Sequence, residues 1–138
     1  MELKYQSDIS SIPTCPPQDA IPRDLQAFRF VHSDIHDDRN FVVPAKLNPK
    51  RTFPDYVEQC AAYALSFFAT QEAAEKRLRS LVKVSQNIKK RIGTHLAEGD
   101  LKSADGRTTS PSPSGHFDLF ESKDLTLTAR FQIVEELP

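Results

Sequence analysis

Residues 63–78, YALSFFATQEAAEKRL, constrain this chain more than any other stretch. They decide whether its middle is one helix or a strand that turns into a helix. A single helix running from Asp55 to Val84 would span about 30 residues, well beyond the usual globular length. The alternative is a short buried strand, ALSFFA, followed by a fresh helix at Thr70. Thr70 suits an N-cap, Glu72 places an acid in the first turn, and Ala73, Ala74 and Leu78 continue at helical spacing. Position 73 is alanine, so the reciprocal glutamate of a capping box is missing. The balance favours the strand. Alternation then puts Leu65, Phe67 and Ala69 on one layer, and Ser66, Phe68 and Thr70 on the other.

The segments around this centre set the fold class. LQAFRFVHS, with aromatic and β-branched residues, predicts a strand in which Phe28 and Phe30 oppose Arg29 and Val31. DIHDDRNFVVPAKLNPKRTFP is a long polar loop broken by proline. PDYVEQCAAYA predicts a helix over about 55–63, with Asp55 or Thr52 as cap and Pro54 at its start. A helix over 71–84 follows. IGTHLAEGDL reads as a strand ending at Gly99, SADG and SPSG as turns, and HFDLFES as a strand. After an SKD turn, LTLTARFQIVEEL is the strongest strand of all. Late strands joined by tight turns predict an α+β domain, a mixed or antiparallel sheet packed by two helices. Residues 1–24 contain four prolines between positions 13 and 22 and predict an extended arm, anchored by Ile9, Ile12 and Ile21 or else mobile. The expected division is therefore arm 1–24 and a single domain 25–138.

Composition agrees with one domain. A chain of 138 residues can bury about two-thirds of its unfolded surface, enough to fold without a metal or disulfide. Eighteen basic and 19 acidic residues leave a net charge of −1, too small to imply nucleic acid or a membrane. Cys15 and Cys60 lie far apart in no metal-like spacing, so free cytosolic thiols are the default expectation. MELKYQSDIS lacks the basic start and apolar core of a signal peptide. No apolar run approaches the roughly 20 residues of a membrane helix. The expectation is a soluble cytoplasmic protein.

Chemistry-bearing residues are scattered. HSDIHDD gathers His32, Asp34, His36, Asp37 and Asp38, but two histidines four apart hold one metal readily on a helix, and this segment reads as an acidic loop. No metal site is expected. Lys76, Arg77, Arg79, Lys83, Lys89, Lys90 and Arg91 form a basic run without an acid, an aromatic residue to stack on bases, or a glycine-rich cradle. It reads as a helix C-terminus and solvated loop rather than a nucleic-acid interface. A second group, Arg29, Ser66, Thr70, Glu98 and His116, sits on or beside predicted strands and forms a candidate pocket if the strand ends converge.

FRFVHS, CAAYALSFFATQEAA, HLAEGDL and TTSPSPSGHFDLFE, in this order and before a closing hydrophobic strand, resemble a group of small uncharacterised bacterial proteins over about residues 27–134. A looser similarity is to ADP-ribosyltransferase folds, including RES-type NAD-consuming toxins. That resemblance implies an NAD-using enzyme in which Arg29 holds the phosphates, Ser66 lines the nicotinamide pocket and Glu98 orients the ribose. LSFFAT departs from the usual Ser-Thr-Ser signature, and Glu98 lacks the Glu-x-Glu spacing. Without that resemblance the residues point to a binding domain with no cofactor. Its expected partner is a protein, met by the proline arm and the long loop.

Overall fold

The computed structural model describes residues 1–138. The central strand β1, Leu25–Val31, is apolar on both sides because both faces of the sheet are covered. It pairs along its full length with β3, His95–Leu101, from Leu25 opposite Leu101 to Val31 opposite His95. On its other side lies β2, Leu65–Phe68, followed by β5, His116–Glu121, and β4, Gly106–Thr108. β6, Phe131–Glu136, closes the opposite edge beside β3. The order β4-β5-β2-β1-β3-β6 is antiparallel at every pairing. This is a small single-domain α+β fold.

Residues 65–68 are therefore strand, and the reason is visible on both flanks. Helix α3, Tyr56–Ala61, is capped by Asp55, whose carboxylate accepts the Glu58 amide at 2.8 Å. Its last turn tightens, with Tyr63 N–H donating to Cys60 and Ala64 N–H to Ala61. The chain then leaves with Leu65 and Phe67 fully buried on one face and Phe68 on the other. Thr70, in extended conformation, caps helix α4, Gln71–Val84, by accepting the Ala73 amide at 3.0 Å.

The two faces of the sheet are covered differently. On the helix face, Phe28, Phe68 and Leu96 pack against Ala74 and Leu78 of α4, with Ile92 of α5, Ile88–Ile92, alongside. On the loop face, Ala27, Val31, Phe67, Phe117 and Phe131 form the main core under Val43, Leu127 and the 32–55 loop. That loop includes the one-turn helix α2, Pro44–Leu47.

Three expectations change. β3 continues past Gly99 to Leu101, because the missing side chain makes room for Phe131, whose ring carbons lie 2.7–2.8 Å from where a Cβ would stand. The closing strand is half as long as expected. Leu127 is buried beneath the sheet and a single 3-10 turn, Thr128–Arg130, lets Arg130 grip the buried Asp105, so pairing begins only at Phe131. The cysteines are not free: Cys15 and Cys60 form a disulfide, with Cα atoms 5.6 Å apart. Sequence spacing hid this because the arm folds back. It carries its own one-turn helix α1, Gln6–Ile9, and packs Leu3, Ile9 and Ala20 against Cys60, Ala64 and Phe120 in a second core. Ile9 anchors it and Ile12 is half-buried, but Ile21 is exposed and joins the sheet edge through its backbone, opposite Thr108.

Removing the cross-link frees 45 residues of chain separation, a loop-closure term of about 4 kcal/mol in the chain-entropy model. Urea unfolding of Cys15→Ser/Cys60→Ser should show a loss of about 2–4 kcal/mol. An unchanged midpoint would mean that the packing of the arm alone holds it in place.

Candidate functional site

A cleft of about 530 Å³ opens on the helix face between α4 and the β2–β5 end of the sheet. Its position follows from strand pairing. β1 and β2 share one ladder pair, Phe28 with Phe68. Beyond it lie Phe30 and Ser66, and both line the cleft. Phe30 packs on Phe68 with ring centroids 5.4 Å apart, forming an apolar floor that Ile92 and Leu81 extend.

Antiparallel pairing of β2 with β5 sets the polar wall. Ser66 lies opposite Asp118, and Phe68 opposite His116. The Ser66 hydroxyl is 3.0 Å from His116 Nε2, and an Asp118 carboxylate oxygen is 3.5 Å from the same nitrogen. The imidazole stands edge-on to Phe68 at 5.7 Å, which limits its rotation. Burial pushes the Asp118 carboxyl above the ordinary aspartate range; His116 and the Ser66 hydroxyl pull it back, and Asp19 adds to the rise. A nucleophilic serine relay needs the carboxylate on the imidazole nitrogen opposite the serine. Here serine and carboxylate meet the same nitrogen. The Ser66–His116 hydrogen bond, with Asp118 beside it, presents a hydroxyl and an imidazole to the cleft.

Of the five scattered residues, the structure brings together Ser66 and His116. Thr70 spends its hydroxyl oxygen on the α4 cap. Glu98 is on the helix face, but Phe28 and Phe68 separate it from His116 along the register, and it accepts from Gln26 at 2.9 Å. Arg29 points to the loop face. Its Nε donates to the Asn40 carbonyl and its Nη1 to the Ser66 carbonyl, both at 2.8 Å, between the rings of Phe67 and Phe41. Burial lowers its pKa to about 10, which leaves it charged at neutral pH.

The basic run divides as well. Lys76 and Arg77 line the cleft. Arg79 and Lys83 face solvent further round α4, Lys89 reaches the Leu137 carbonyl at 3.5 Å, and Lys90 and Arg91 are exposed on α5. The acidic loop is held by its own hydrogen bonds. Asp34 accepts the His36 amide, Asp37 is ion-paired with Arg39, and the buried Asn40 side chain ties His32 to Asp34 and Ile35. The pairing with Arg39 holds the Asp37 carboxyl well below the usual range.

Asp118 is the residue that sequence reasoning missed. Alternation in HFDLFES put it on the same face as His116, but only the register brings it opposite Ser66.

Two outcomes follow. Arg29→Ala leaves the carbonyls of Asn40 and Ser66 without their charged donor, a loss of about 1.5–3 kcal/mol measurable by urea unfolding; a variant as stable as the parent would contradict the structural role. Asp118 has a raised folded-state pKa, so folding favours its protonated form. Its stabilising effect is full below the unfolded value near 3.8 and is lost as pH rises through the higher folded value. Asp118→Asn should therefore gain in Tm relative to the parent as pH rises above 3.8, then level off. A gain that grows on acidification would reverse this sign.

Compared with protein-family models, with curated proteins and with solved structures, the chain finds no significant match, so the chemistry of the cleft rests on its own residues.

Proposed function

We propose that this chain is a binding domain without catalysis, and that the cleft between α4 and the β2–β5 end of the sheet is where its ligand sits. One observation carries the reading: an apolar floor of Phe30 and Phe68 meets a fixed polar pair, Ser66 and His116, in one concavity. A mostly apolar cavity with a few placed polar groups is the usual form of a small-molecule site. A small ligand is preferred to a protein partner because the arm expected to meet that partner is packed into its own domain and cross-linked to α3. The NAD-using alternative has less support. Arg29 serves the opposite face of the sheet, and Glu98, the carboxylate that the resemblance assigns to the ribose, lies outside the cleft.

The setting of this binding domain is proposed to be oxidising. The expectation of a cytoplasmic protein rests on free thiols and on the lack of a visible signal peptide or membrane-length apolar run, whereas the Cys15–Cys60 disulfide favours a compartment where such bonds persist. No helix is long and apolar enough to cross a membrane.

The test is a screen of small neutral and charged fragments by NMR on the full chain. Hits should move the signals of Phe30, Ser66 and His116. Ser80→Trp, placed on the exposed cleft side of α4, should abolish those shifts with little change in Tm. Incubation with NAD should release no nicotinamide above a buffer control. Release that Ser66→Ala and Glu98→Gln both suppress would overturn the binding reading in favour of the enzyme.

A further inference from the structure

The cleft has a charge pattern that narrows what it can hold. The residues of α4 that line it, Ala73, Lys76, Arg77, Ser80 and Leu81, follow one helical stripe with the spacing i, i+3, i+4, i+7, i+8. Both charged members of the stripe are cations, and neither is ion-paired with a carboxylate. The acids of the same helix lie off this stripe: Glu72 is exposed, and Glu75 meets Glu135 of β6. No acidic residue lines the cleft itself; the nearest carboxylate described, Asp118, stands behind its polar wall, 3.5 Å from His116 Nε2. The 112–115 turn also lines the cleft and brings the hydroxyls of Ser112 and Ser114 within 2.8 Å of each other. Beneath them is the apolar floor.

Resting on the binding-domain reading, we propose that the cleft takes a small amphipathic anion. Its apolar or aromatic body lies over Phe30, Phe68 and Ile92, and its phosphate or carboxylate head meets Lys76 and Arg77. The physical basis is division of labour. Flexible ammonium and guanidinium groups at a rim attract and hold an oxyanion through charge-assisted hydrogen bonds. The hydroxyls supply neutral donors, and the floor removes the body of the ligand from water. An inorganic anion would leave the floor unused, and a neutral aromatic molecule would leave two cations without a counter-charge.

The experiment is an NMR titration of the full chain with phenyl phosphate, phenylacetate, benzyl alcohol and inorganic phosphate. Phenyl phosphate and phenylacetate should each shift Phe30, Ser66 and His116 and bind about tenfold or more tightly than either control. In Lys76→Ala/Arg77→Ala, two exposed positions without ion pairs whose truncation should leave Tm unchanged, the aromatic anions should weaken by about tenfold or more while benzyl alcohol is unaffected. Benzyl alcohol binding as tightly as the anions would overturn the anion inference and leave the binding-domain reading standing. Inorganic phosphate binding as tightly as phenyl phosphate would overturn the role of the apolar floor. If none of these probes, and none of the wider fragment set, moved a cleft signal, both readings would fall together.

Discussion

The half-buried guanidinium of Arg29 is the contact on which much of this structure depends. β1 and β2 are adjacent strands with a single ladder pair, so the Ser66 carbonyl would otherwise lack a donor from β1. Arg29 supplies it through Nη1 and, through Nε, donates to the Asn40 carbonyl. Asn40 in turn fixes the backbone of His32, Asp34 and Ile35. One side chain thus joins the centre of the sheet to the long loop that roofs its loop face. A charge in such a place is costly to desolvate. The two carbonyls, the faces of Phe67 and Phe41 and the nearby Glu121 carboxylate offset that cost.

The same arrangement shapes the cleft on the other side of the sheet. Where β1 and β2 stop pairing, Phe30 and the Ser66 hydroxyl are left as lining rather than as covered core. α4 packs Ala74 and Leu78 onto the sheet and turns its next stripe, with Lys76 and Arg77, toward the opening. Cleft and core are adjacent stripes of one helix, so the packing of α4 fixes where the two flexible cations are rooted on the cleft wall.

The arm completes the fold at the β4–β5 edge of the sheet. Leu3 and Ile21 form isolated bridges to Ser122 and Thr108, and Lys4 pairs with the buried Glu121 at 2.6 Å. Burial still holds the Glu121 carboxyl above its ordinary range despite Lys4. These contacts cover an edge that would otherwise offer unpaired backbone groups to other chains.

Much was legible in the sequence by itself. Thr70 and Asp55 marked helix starts because a side-chain oxygen three residues before an amide is a local interaction. The alternation of FRFV, LSFF and HFDLF gave strands and their two faces, and together they gave the α+β class. What tertiary structure alone decided is every pairing between distant segments. It decided that Cys15 meets Cys60, that Asp118 meets Ser66, that Arg29 turns away from His116, and that Lys76 and Arg77 leave the other five cations for the cleft. Local patterns record which face of an element is apolar, but not the register or neighbour that face will meet. Those are fixed by how the whole sheet closes over its core, and the candidate site is built from them.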